Sequence, residues 1–376
     1  MAEPSFTIGI EEEYHLVSLE TRELCVTPPP EMLPACEELL TGRVSPEFMR
    51  SQIEVGTGVC SSIGEVRNDL AQLRRTVADV ARRHGLAPIA ASTHPFAEWD
   101  VQRFTEKERY SVLARDLQGV GRRLVICGMH VHVAVEDDEL RIDLMNQVTY
   151  FLPHLLALST SSPFWRGHDS GLKSYRMSVF NGLPRTGLPE YFASFSEYRR
   201  HVSWLVGAGL IEDATKLWWD VRPSDRFPTL EMRITDVCTR LDDAIAIAAL
   251  YRCLLRMLWR LRRNNQRWRI YARMLVDENR WRAQRYGLDA GLVDFGKGQI
   301  VPCADLLEEL IALTEEDALF FGCTQEIGHL RTILQRGTSA QRQLEVHARA
   351  LMDGMTPEEA LRRVVDMLVA ETVDGL

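Results

Sequence analysis

The sequence predicts an α+β fold: an antiparallel or mixed sheet with packed helices, followed by a helical C-terminal third. Three observations carry this. All five segments with strand character precede residue 240, every segment beyond Leu241 has helical spacing, and no linker, repeat or low-complexity tract separates the two parts. The chain is therefore read as one catalytic domain over 1–376, with a sheet-bearing core over about 1–240 and a helical part over about 241–376. A division into two domains near residue 240 is the alternative.

The strand segments are "SFTIGIEEEYHLV", "FMRSQIEVGT", "APIAAST", "RLVICGMHVHVAV" and "FPTLEMRITDV", rich in β-branched and aromatic residues. Between them, "SIGEVRNDLAQLRRTVADVARRHG" opens on a Ser62 cap, keeps apolar residues at helical spacing and stops at Gly85. The stretch "RIDLMNQVTYFLPHLLALSTSS" predicts a helix kinked at Pro153. The stretch "SSPFWRGHDSGLKSYRMSVFNGLPRTGLP" is loop-rich, and its aromatic and basic residues favour a functional segment. From Leu241 onward only helices are expected, over 242–263, 266–286, 304–314, 324–335, 339–353 and from Thr356 to the end, where Thr356, Pro357 and Glu359 form an N-terminal cap signal.

Composition narrows the function. With 376 residues, 45% hydrophobic and 26% charged, the chain can bury a substantial core. A net charge of −9 argues against a nucleic-acid partner. The eight cysteines include no C-x-x-C pair and read as reduced core thiols of a cytoplasmic protein, not as a disulfide framework or zinc site. No basic start followed by an apolar run marks a signal peptide. The apolar stretch "AIAIAALYRCLLRMLWRLRR" carries Arg252, Arg256 and Arg260 every four residues, a polar stripe on an amphipathic helix and not a membrane span. Small molecules are the expected partners, with a homodimer as the expected assembly.

The strands carry ionisable residues at a spacing of two, which puts them on one face. Glu11 and Glu13 share a face continued by His15, and Glu12 points the other way; His130 pairs with His132, Glu231 with Arg233, and Glu54 ends its strand. Each alone has an ordinary reading as a solvated or packed residue. Four such strands in one sheet would give a face of carboxylates and imidazoles that needs countercharge. Carboxylate-rich sites with few imidazoles suit Mg²⁺ or Mn²⁺ better than Zn²⁺, and an Arg on that face suits a phosphate oxygen. Mutual repulsion should raise the pKa values of these carboxylates when no metal is bound.

Six ordered motifs, "GIEEEY", "RSQIEVGT", "CGMHVHV", "DSGLKSYR", "LPRTGLP" and "TLEMRITDV", together resemble the carboxylate–amine ligases of the glutamate–cysteine ligase type 2 family. That family is similar to glutamine synthetase, with a curved, mainly antiparallel sheet whose concave face holds ATP and two or three Mg²⁺ ions. The resemblance puts Glu11, Glu13, Glu47, Glu54, His130 and Glu231 on metal, His132 near the nucleotide, and Arg233 on phosphate as a catalytic group. It offers Arg176 and Arg185, in the long loop, for a substrate carboxylate or phosphate. The implied reaction is attack of a γ-carboxylate on ATP to give an acyl phosphate, followed by attack of an amine, cysteine in the best-known case. No nucleophilic side chain is required, so the lack of a G-x-x-x-x-G-K-[ST] loop is no objection. Two rivals are another phosphotransferase on the same fold, such as a guanidino phosphotransferase, and a non-catalytic nucleotide-binding relative.

Overall fold

Strand β1 (Ile8–Ser18) is the axis of the main sheet. Ile8, Ile10, Glu12 and Tyr14 are buried on one face, and Gly9, Glu11 and Glu13 are partly open on the other. The computed structural model describes residues 3–376, the side chain of Arg109 excepted. In chain order β2 (Val44–Pro46), β3 (Gln52–Gly56), β4 (Leu86–Ile89) and β5 (Met129–Ala134) follow. Two short pairs come next, β6 (Phe164–Trp165) with β7 (His168–Asp169) and β8 (Thr186–Gly187) with β9 (Trp218–Trp219). Then β10 (Val221–Pro223) and β11 (Thr229–Met232) complete the main sheet. Its order is β10-β11-β5-β1-β3-β2, with β4 pairing the second half of β1, and every ladder is antiparallel.

The helices are α1 (Met32–Leu40), α2 (Ile63–Arg83), α3 (Glu108–Arg122), α4 (Asp138–Val148), α5 (Leu152–Ser159), α6 (Tyr175–Phe180), α7 (Phe195–Gly207), α8 (Leu241–Arg263), α9 (Arg273–Tyr286), α10 (Cys303–Phe321), α11 (Thr324–Arg336), α12 (Ser339–Met352) and α13 (Pro357–Thr372). Helix α2 starts as its sequence dictates: Ser62 Oγ accepts from Glu65 N (3.2 Å), and Glu65 Oε2 accepts from Ser61 N (2.7 Å). It packs against β1, β4 and α8, and α8 in turn packs against β5, α4, α5, α10 and α11. One hydrophobic core takes residues from Phe6 to Ile333. A second cluster holds Leu361, Val364 and Leu368 of α13 against Val17 and Ile89.

Three expectations need correction. The helix expected over 141–162 is broken by a 3₁₀ turn at Thr149–Phe151, and Pro153 sits in the first turn of α5, where its missing N–H costs nothing. The C-terminal third is not purely helical. A hairpin of β12 (Leu292–Asp294) and β13 (Gln299–Val301) precedes α10, residues 266–272 are not helical, and α10 runs on past 314 to Phe321. Strands of three residues are too short to show a period of two. The arginine stripe of α8 does not face water: Arg252 and Arg256 are buried. Arg252 donates to the carbonyls of Phe6 (2.7 Å) and Ser61 (2.8 Å), and Arg256 and Arg260 both hold Asp317 of α10. The stripe thus ties the N-terminal segment and α10 to the core.

Among the described residues no helix is long and apolar enough to cross a membrane, and no cysteine forms a disulfide.

Candidate active site

Strand register brings the ionisable residues together. Glu13 lies opposite Glu54, Glu11 opposite His130, Glu231 opposite His132, and Arg222 opposite Glu231. Directly opposed residues of an antiparallel ladder share a face, so five strands deliver these side chains to one side of the sheet. Glu12 points to the other side, where it is fully buried. There Arg74 grips it in a fork (Nη2 to Oε1 2.7 Å, Nε to Oε2 2.8 Å), and the Tyr14 hydroxyl donates to Oε2 at 2.5 Å. The middle carboxylate of the Glu triplet is therefore part of the core, paired as burial demands.

On the exposed face the acids form two groups. Ligand atoms of Glu11, His132 and Glu231 lie within 4.8 Å of one another, and so do those of Glu13, Glu47 and Glu54. His130 adjoins the first group, its Nδ1 3.3 Å from Glu11 Oε2. In the second, Glu13 Oε2 accepts from Gly128 N (2.7 Å) and Glu54 Oε1 from Ser45 Oγ (3.2 Å).

The two groups differ electrostatically. Burial, then the neighbouring Glu54, pushes Glu13 up to about 7. Burial and the charges of Glu47 and Glu11 likewise raise Glu54. The expected rise fails for the other two acids. Burial opposes their ionisation, but the imidazoles of His130 and His132 beside Glu11 hold it well below its usual value. The guanidinium groups of Arg233 and Arg222 do the same for Glu231. Burial, then Arg233, lowers His130 to about 4, so it is a neutral imidazole at physiological pH.

These residues fit a divalent cation. The second group concentrates carboxylates that resist shared ionisation without a countercharge. In the first, the buried Nε2 of His132 has no hydrogen-bond partner, with Glu11 Oε1 3.6 Å away. All donors are carboxylate oxygens or imidazole nitrogens, a set suited to Mg²⁺ or Mn²⁺.

A cavity of about 300 Å³ covers this face. Glu11, Glu13, Glu47, Glu54, His130, His132, Arg176, Glu231 and Arg233 all line it. A second cavity of about 440 Å³ shares Glu11, Glu54, His132 and Phe227 with the first. Arg233 donates to Glu231, and its Nη1 is 3.4 Å from His130 Nδ1. Arg176 is buried, and burial pulls its pKa down. Its guanidinium donates to the carbonyls of Ile234 (3.4 Å) and Arg233 (3.2 Å) and makes no carboxylate ion pair among the described residues. It is a cation lining the cavity, its charge favoured by Asp236 and Glu13 without a direct ion pair. Arg185 is the exception among the expected residues. It does not line the cavity; its Nε donates to the Lys216 carbonyl (3.1 Å) and its guanidinium lies over the Trp218 ring.

Three residues escaped the sequence reading. Arg222 grips Glu231 through Nε (2.9 Å) and Nη2 (3.3 Å), and its Nη1 is anchored on the Thr215 and Leu217 carbonyls. Its signal was the hairpin "VRPSDRFPTLEM", which sets Arg222 opposite Glu231. Phe227, at the tip of that hairpin, is 56% exposed and stands edge-on to His132 (centroids 6.4 Å apart). Buried Asp236 accepts from Ser162 Oγ and Ser174 Oγ, both at 2.8 Å, which fastens the "DSGLKSYR" loop and thereby Arg176 to the sheet.

The family model described as "Glutamate-cysteine ligase family 2 (GCS2)" matches residues 7–367. The chain belongs to this family. A Rhodospirillum rubrum protein named "Putative glutamate--cysteine ligase 2" is 66% identical, over 100% of this chain and 98% of that one. A protein of the same name from Jannaschia sp. is 55% identical, over 97% and 96%. The crystal structure of glutamate–cysteine ligase from Francisella tularensis in complex with AMP superposes with a TM-score of 0.69 at 14% identity, covering 98% of this chain and 89% of that one. That likeness shows the fold, the antiparallel sheet with flanking helices expected from the motifs. Family membership makes this chain a carboxylate–amine ligase of the glutamate–cysteine ligase type.

Proposed function

We propose that the protein uses ATP to join the γ-carboxylate of glutamate to the amine of a second small molecule, as glutamate–cysteine ligase does, in the cytoplasm. The observation that carries this is one sheet face with two carboxylate groups beside the guanidinium groups of Arg176 and Arg233, which line the same cavity. The AMP bound by the Francisella enzyme supports a nucleotide on this fold.

Glu13, Glu47 and Glu54 would hold one Mg²⁺ or Mn²⁺, and Glu11, Glu231 and His130 or His132 another. Bound there, the cations supply positive charge against the phosphates. The second cavity, apolar and adjoining His132 and Phe227, suits the nucleoside, and Arg176 suits the glutamate α-carboxylate. Arg222 keeps its grip on Glu231 while Arg233 turns to the transferring phosphoryl group, whose oxygens its planar fork can bind in pairs. The γ-carboxylate oxygen attacks the γ-phosphorus and ADP leaves. The acceptor nitrogen then attacks the acyl carbon, a C–N bond replaces the bond to phosphate, phosphate leaves and the amine loses its proton. Arg185 has no part in these steps.

The test is ADP release with Mg²⁺, ATP, glutamate and pooled amines, supplied together and singly. Release only when both acid and amine are present is the expected result. ADP made from a guanidino acceptor without glutamate would favour a guanidino phosphotransferase, and nucleotide binding with no ADP under any condition a non-catalytic relative.

A further inference from the structure

Besides its ionisable residues, the first cavity is lined by hydrocarbon. Leu113 and Leu117 of α3, Leu124, Phe180 of α6, Leu183 and Trp218 line it. They belong to two apolar clusters separate from the main core, one around Phe48 and Tyr110, the other around Ile126 and Phe180. Leu113, Leu117, Leu124 and Trp218 are only partly buried, so the wall keeps apolar surface turned towards the cavity.

The groups already assigned to the reaction leave this wall uncovered except at Phe180, over whose ring the Arg176 guanidinium lies, 5.2 Å from the centroid. Glutamate and the phosphates are anionic, and their partners are the guanidinium groups and cation ligands. The nucleoside has the second cavity, with Phe227 at its mouth. Apolar surface gains only from contact with hydrocarbon, by about 0.8 kcal/mol for each methylene buried. A cysteine, serine or glycine acceptor brings one heavy side-chain atom beyond Cβ at most and would leave most of the wall in water.

We infer that the acceptor is an amine bearing a bulky apolar or aromatic side chain, which lies against the wall formed by Leu113, Leu117, Leu124, Phe180, Leu183 and Trp218. This rests on the ligase reading and adds its second substrate class. The amine nitrogen points to the acidic face, where the activated carbonyl forms, and the side chain extends between α3 and α6.

The experiment measures glutamate- and ATP-dependent ADP release with leucine, phenylalanine and phenethylamine against cysteine, serine and glycine. It is repeated with Leu117→Asn and, at a second position of the wall, Leu113→Ala. In the wild type, kcat/KM for the apolar amines should exceed that for cysteine by on the order of tenfold or more. Either substitution should lower kcat/KM for the apolar amines and leave the KM values for ATP and glutamate in place. A preference for cysteine, serine or glycine, or equal rates with all six, overturns the inference and leaves the ligase reading standing. A rise in KM for ATP in both variants overturns it too, because the base would then occupy the wall. Absence of glutamate-dependent ADP release with every amine overturns the ligase reading itself.

Discussion

A Cβ on Gly128 would lie 2.5 Å from Nη2 of Arg176, so the guanidinium occupies space that only glycine leaves open. The first residue of the G-x-H motif thus makes room for a cation supplied by the long loop, the last residue of "DSGLKSYR". Gly128→Ala should displace Arg176 without unfolding the sheet. Turnover should fall on the order of a hundredfold, as small misplacements of positioning groups do. The effect should appear in the KM for glutamate more than in that for ATP. A folded variant with wild-type KM for glutamate would remove Arg176 from glutamate binding.

Cation binding and protons compete at Glu13. In the metal-free protein burial and Glu54 raise its carboxyl from 4.5 to about 7. The folded state then binds more protons than the unfolded one across that window, so stability must fall as pH rises through it. A cation needs the ionised form, so stabilisation by Mg²⁺ should grow as pH rises to about 7. Thermal denaturation at about pH 5 and about pH 7.5, with and without Mg²⁺, reads both effects. Glu13→Gln should flatten the metal-free slope. An unchanged slope would mean that other groups set it.

Glu12 and Arg74 are both fully buried and hydrogen-bonded in a fork. Arg74 also donates to the carbonyls of Cys238 (2.8 Å) and Thr239 (2.7 Å), beyond the strand that carries Glu231. Glu12→Gln leaves that guanidinium without its countercharge and should cost about 3–5 kcal/mol in chemical denaturation. Glu12→Met combined with Arg74→Leu should recover much of the loss, since an apolar pair carries no desolvation penalty. A double variant as unstable as the sum of the two single changes would contradict this.

What was legible in the sequence was what a strand's period encodes. Glu11, Glu13, His130, Glu54 and Glu231 sit on short strands whose alternate residues are apolar, and antiparallel pairing then leaves little freedom in where they meet. The division of labour within the Glu triplet was legible for the same reason, though Glu12's partner Arg74 was not, because it comes from a helix face 62 residues away. The loop residues were harder. Arg176 and Arg185 carried similar signals in sequence. Only the Asp236–Ser174 bond and the space at Gly128 turn the first into the cavity, whereas Arg185 is drawn off by the Lys216 carbonyl. Arg222 and the apolar wall of α3 were hidden because their roles depend on which elements face each other across the cavity. The rise expected for every carboxylate failed at Glu231 because Arg233, already placed on its face, and the missed Arg222 both lower it.

The central claim is that this face activates a carboxylate with ATP, with Arg233 gripping the transferred phosphoryl group. The most direct measurement is trapping of the acyl phosphate as γ-glutamyl hydroxamate with hydroxylamine, at saturating ATP and glutamate. The wild type should form hydroxamate in step with ADP. Arg233→Lys should lower that rate on the order of a hundredfold to a thousandfold with ATP binding largely kept, because a point charge replaces a preorganised planar fork. Hydroxamate formed at the wild-type rate by Arg233→Lys would reduce Arg233 to a counterion of Glu231. No hydroxamate from the wild type, despite bound Mg²⁺ and ATP, would contradict carboxylate activation on this face.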